Sequence, residues 1–75
     1  MIKANFVLEF RDEYGRLDCR IEGSRLYSDI QHAKRYMPIY LHRHYIKHHE
    51  SAFDGIECTR MLISTEDQVL YHFYV

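Results

Sequence analysis

The sequence predicts a small α+β domain in the order ββααββ, with a four-stranded, mainly antiparallel sheet and a helical segment on one of its faces. Three observations carry this. Apolar residues alternate with a period of two near both ends of the chain, the mark of half-buried strands. The stretch between them carries apolar residues at helical spacing. Gly15, Gly23 and Gly55 stand at the joins, where turns and helix ends favour glycine.

The first strand spans residues 2–10. Ala4, Phe6, Leu8 and Phe10 point one way; Lys3, Asn5, Val7 and Glu9 point the other. Arg11 to Arg16 form a turn, with Gly15 as its left-handed residue. Leu17, Cys19 and Ile21 then alternate with Asp18, Arg20 and Glu22, which makes a second strand with a wet outer face. Gly23 ends it, and Ser24 to Tyr27 either extend the strand or form a loop. Ser28 is placed to cap a helix, with Asp29 in the first turn suiting the helix dipole.

Ile30, Ala33 and Met37 share one helical face. Pro38 should interrupt it, because a proline inside a helix removes a hydrogen bond and clashes with the preceding turn, at a cost of about 3 kcal/mol. The apolar phase agrees with a break near Pro38. At about 100° per residue, Ile39, Ile46 and Phe53 form a stripe nearly opposite the first, flanked by Leu41, Tyr45 and Ala52. Two short helices need one core, whereas one straight helix would need a core on both sides and so a dimer. Asp54-Gly55 ends the second helix. Ile56 to Ile63 form a third strand, Ser64 to Asp67 a turn, and Gln68 to Val75 a last strand that is apolar on both faces. Such strands are central or covered, so the first and last strands are expected at the sheet centre. Val7, Met61, Ile63, Leu70 and Tyr74 are expected on the face the helices leave open.

Seventy-five residues are a single domain, 1–75, and a chain this short buries only about 60% of its unfolded surface. Met1 leads straight into the first strand, without the charged and apolar regions of a signal peptide, and no apolar run reaches the roughly 20 residues of a membrane-spanning helix. Cys19 and Cys58 have no CxxC spacing and sit inside strands. They read as reduced core thiols of a cytoplasmic protein, with a disulfide as the alternative. Net charge is −1, unevenly spread: residues 31–49 hold Lys34, Arg35, Arg43, Lys47 and five of the six histidines, and no acid.

Several chemistries are weighed on that basic segment. His44 and His48, spaced i, i+4, are the pair able to share a metal, but a zinc site needs three or four ligands and no finger or HExxH spacing is present. No metal or cofactor is therefore expected. His42 and His49, seven apart, are expected to be semi-buried. Beside Lys and Arg they would have lowered pKa values, so that acid would charge them and destabilise the fold, a pH or metal sensor being the third functional reading. Arg35, Tyr40, Arg43, His44 and Lys47 outline a nucleic-acid surface, but the chain is slightly acidic overall and carries no recognised nucleic-acid motif. The same residues, with Tyr14 and Tyr74, suit a protein partner, since Tyr and Arg dominate interface hot spots. No Gly-rich phosphate loop or paired-carboxylate site is present, the cysteines lie on apolar strand positions, and an enzyme is not expected. The leading expectation is a small protein-binding inhibitor, adaptor or regulatory subunit, of the kind found in phages and mobile elements, with homodimerisation as a further option. The alternative is a nucleic-acid-binding module using residues 34–47.

Overall fold

In a computed structural model describing all 75 residues, four strands form one open antiparallel sheet. They are β1 (Ile2–Arg11), β2 (Leu17–Tyr27), β3 (Glu57–Ser64) and β4 (Val69–Tyr74), in spatial order β2-β1-β3-β4. A helical run covers one face: α1 (Ile30–Leu41), a π turn (His42–Ile46) and α2 (Lys47–Ala52). Fold class and element order are those expected from the sequence.

β1 is central because it carries two ladders. Phe6 pairs with Gly23 on one side and Ile63 on the other; Leu8 pairs with Ile21 and Met61. Its even-numbered residues Ala4, Phe6, Leu8 and Phe10 are all buried beneath the helix. The Phe6 ring lies over Gly23, where a Cβ would come within 2.9 Å of the ring's Cζ. β2 runs on to Tyr27, so the Ser24–Tyr27 stretch is strand, and Gly23 lies within it. The tip of this first hairpin is held by Asp12, whose carboxylate accepts the backbone N–H groups of Tyr14 and Arg16 at 2.9 Å each. Gly15 there has φ +80°, as the turn requires.

The last strand is not central. A tight connection at residues 65–68 folds β4 back along β3, and β1 already occupies the other side of β3. β4 is therefore an edge strand. Met61, Ile63 and Leu70 are in the core rather than on the open face: the register that pairs Met61 with Leu8 and Ile63 with Phe6 turns the first two toward the helix, and Leu70 lies at the irregularity where β4 pairing shifts between Ile63 and Ser64.

The helix passes through Pro38 without stopping, which corrects the expected break. Asp29, not Ser28, caps it: Asp29 Oδ1 accepts the His32 amide at 2.8 Å, while Ser28 Oγ pairs with His32 Nδ1. The irregularity comes after Leu41, where the Lys47 amide bonds the His42 carbonyl five residues back. This π turn resolves the phase conflict that two apolar stripes create. The buried helical residues are Ala33, Met37, Leu41 and Ile46, spaced four, four and five. In an unbroken α-helix Ile46 would lie about 140° round from Leu41; the wider turn absorbs the extra residue. Ile39 and Phe53, the other members of the second stripe, are consequently exposed.

Cys19 and Cys58 are both free. Each is the partner of Phe10, on opposite sides of β1, so they are two strand spacings apart, about 9.5 Å. That is beyond the reach of a disulfide. Burial pushes the Cys58 thiol above its ordinary pKa and keeps it protonated. No helix is long and apolar enough to cross a membrane.

Candidate functional site

Charge is distributed on this fold according to element. On the open face of the sheet, Glu9 is only 7% exposed because arginines surround it: Arg60 at 3.5 Å, Arg11 at 3.7 Å and Arg20 at 3.9 Å. Arg20 also meets Glu22 at 2.7 Å, and Arg16 meets Asp12 at 3.1 Å in the hairpin turn. In contrast, Lys3, Arg25, Lys34, Arg35, Arg43 and Lys47 have no acidic partner. Four of these six stand on the helix, Arg25 reaches it from β2, and Lys3 stands apart on β1.

Residues four apart stack along a helix, so the outer side of this one carries two neighbouring ridges. Arg35, Ile39, Arg43 and Lys47 make a basic crest, with Ile39 exposed among the cations. Tyr36, Tyr40, His44 and His48 make an aromatic ridge beside it. The aromatic ridge faces β2. Arg25, opposite Ala4 in the register, lies on the helix-covered face of the sheet and sets its guanidinium 3.6 Å from the centre of the Tyr40 ring. His44 lies 4.4 Å from the same ring, and Tyr45 meets it edge-on at 6.2 Å. Desolvation by these rings works against the charge of Arg25, but Tyr27 and Tyr40 more than offset it, and the guanidinium pKa is raised. Arg35 approaches the Tyr36 ring at 5.5 Å, and His32 meets that ring edge-on at 4.7 Å. The cations at the β2 flank are thus held against aromatic rings rather than by carboxylates, which leaves their charge open to a partner.

Of the residues singled out from sequence, Arg35, Tyr40, Arg43, His44 and Lys47 fall on this one side of the helix. Tyr14 is exposed at the tip of the β1–β2 hairpin beneath Arg16, and Tyr74 is exposed on the edge strand β4; neither belongs to the helical patch. Arg25 and Tyr36 complete the patch. Arg25 carries no helical signal and enters only through the β1–β2 register.

The histidines do not gather. No group of three or more His, Cys, Asp or Glu side chains is placed to hold a metal, and His44 is stacked on Tyr40. His42 is exposed, contrary to expectation. His49 is half-buried between the rings of Phe10 at 4.2 Å and Phe53 at 4.8 Å. Its ionic neighbour is Asp18, with Nε2 and Oδ2 3.3 Å apart, not the Lys and Arg expected from sequence. The reason is that the helix lays His49 over β2, which carries Asp18. No protein-family model matches the chain, and no curated protein or solved structure does.

Proposed function

We propose that the chain is a small binding protein that acts by seating the basic, aromatic side of its helix on an acidic surface of another protein. The observation supporting this is the contrast in pairing: every arginine of the sheet except Arg25 is in an ion pair, while the helical cations are in none. Unpaired cations beside tyrosines and an exposed Ile39 combine steering charge with an apolar anchor, the composition of an interface centre. Inhibition, adaptation or regulation would each follow from occupying such a surface, with no chemical step.

A nucleic acid is the second reading, favoured by the same free cations. Base stacking is what argues against it. The Tyr40 ring, the one at the centre of the patch, is engaged by Arg25 at 3.6 Å and by His44 at 4.4 Å, so it is not free to stack on a base.

Affinity capture on the immobilised chain, from a lysate of the source cells with and without nuclease, tests the reading. The expected result is one stoichiometric, acidic protein that resists nuclease. Arg35→Glu together with Arg43→Glu should weaken its binding at least about tenfold, since like charges then face each other. A complex lost to nuclease, or one indifferent to the double reversal, refutes it.

A further inference from the structure

We infer that β4 is a self-association edge, through which two copies of this chain join their sheets into one antiparallel sheet of eight strands. The edge has the two properties that a two-fold strand pair needs. The first is free backbone. The Val75 amide donates to the Thr59 carbonyl at 2.8 Å, and the pairing continues with Phe73 opposite Met61 and Tyr71 opposite Ile63. In an antiparallel ladder the inward- and outward-facing residues alternate. His72 and Tyr74 therefore turn their N–H and C=O groups away from β3, toward the empty side.

The second property is a surface that an identical strand can accept. Residues 69–75 contain no Asp, Glu, Lys or Arg, so no like charges meet when the strand faces its own copy. The other edge, β2, carries Asp18, Arg20, Glu22 and Arg25 with Gly23 among them, the features by which natural sheets blunt an edge. Nothing on β4 does this. A pair centred on Phe73 sets His72 opposite Tyr74 of the second copy, so that the outward groups bond reciprocally. On the helix side it sets Phe73 against Phe73, and Tyr71 against Val75.

The area is that of a weak, concentration-dependent pair. Within the paired stretch 71–75, Tyr71, Phe73 and Tyr74 are 41%, 39% and 65% exposed and Val75 is 74% exposed. With aromatic side chains of about 150–250 Å² each, the edge offers roughly 400 Å² per copy, or about 800 Å² in the pair, within the range of transient interfaces. An open groove of about 280 Å³ beside the edge, lined by Ile46, Met61, Tyr71 and Phe73, adds apolar surface at the junction. In the dimer both helices lie on the same side of the joined sheet, so the proposed basic patches point the same way.

Sedimentation equilibrium over a concentration series tests this. The wild-type chain is expected to pass from 9.2 kDa monomer to dimer within the micromolar range, and in hydrogen exchange the His72 and Tyr74 amides should gain protection as it does. His72→Pro removes an outward N–H that β3 does not use, so the monomer keeps its circular dichroism spectrum while dimerisation weakens at least about 100-fold. Tyr74→Lys, at an exposed position, should have the same effect through charge. A wild-type chain that stays monomeric at millimolar concentration overturns the inference, as does a dimer whose midpoint neither variant moves.

Discussion

Deleting a single residue from the π turn should leave the protein folded, whereas inserting one there should not. The geometry sets the sign. Leu41 and Ile46 are both buried, five residues apart across the π turn. Removing the exposed His42 makes that spacing four, which an ordinary α-helix satisfies, and the connection at residues 53–56 absorbs the small displacement. No core side chain is lost, so the stability change should stay within about 1 kcal/mol. Inserting an alanine after Leu41 makes the spacing six. Ile46 then rotates about a further 100° away, taking half-buried Tyr45 and His49 with it. Losing the Ile46 side chain alone costs about 2–5 kcal/mol, out of roughly 4–11 kcal/mol for a chain of this length. Urea unfolding followed by circular dichroism gives both values. A His42 deletion as damaging as the insertion would mean that the π turn does not set the register of the core.

Two further perturbations test the hairpin formed by β1 and β2. Gly23→Ala places a methyl group 2.9 Å from Phe6 Cζ, so the ring must move out of its seat; a destabilisation of about 1–3 kcal/mol is expected, and an unchanged melting temperature would show that the ring moves freely. Asp12 has its pKa lowered, first by the hydrogen bond from the Arg16 amide and further by the Tyr14 amide and the Arg16 side chain. Because the folded value lies below the ordinary 3.8, the carboxylate's contribution is complete above that pH and is lost as pH falls from it through the lower folded value. Asp12→Asn keeps an oxygen acceptor but no charge, so the gap in stability between the two proteins should close below pH 3.8, whereas a gap independent of pH would exclude the charge as its source.

The fold was legible because β1 and the first half of β2 alternate with a period of two, and Ala4, Phe6, Leu8 and Phe10 announce the central strand directly. What the sequence concealed has three physical origins. Pro38 has the chemistry of a helix breaker, but it loses only one backbone bond, and the Met37 and Leu41 side chains on either side are fully buried, which holds the helix together through it. The π turn has no residue signature; it shows only as an apolar spacing of five, and an assumed constant angle turns that spacing into a second stripe through Ile39 and Phe53. The two-sided apolar pattern of residues 69–75 points to a central or covered strand, but the chain order puts this strand at the edge with Tyr74 exposed, because β1 already takes the other side of β3. Within the candidate site, Arg35, Arg43 and Lys47, eight and four residues apart, could be placed on one side of a helix from spacing alone. Arg25 could not, because it meets Tyr40 only through the strand register.

The free cations on the helix are the feature least explained by folding. With ten basic and eleven acidic residues, the chain has acids enough to pair most of its charges, and Arg11, Arg20 and Arg60 of the sheet are paired in this way, enclosing the nearly buried Glu9. The helix instead sets Arg43 and Lys47 four residues apart, a like-charge pair that costs a few tenths of a kcal/mol, with no acid between residues 31 and 49 to relieve it. Helix-dipole compensation accounts for little of this, since it acts only on the last turn and Arg35 and Arg43 stand well before it. Replacing Arg43 with glutamate would create a favourable Glu-to-Lys pair with Lys47 in the better orientation, so the isolated protein should become slightly more stable as the proposed interface is lost. Stability and binding moving in opposite directions in that one variant would separate a surface kept for a partner from one that merely solvates the helix.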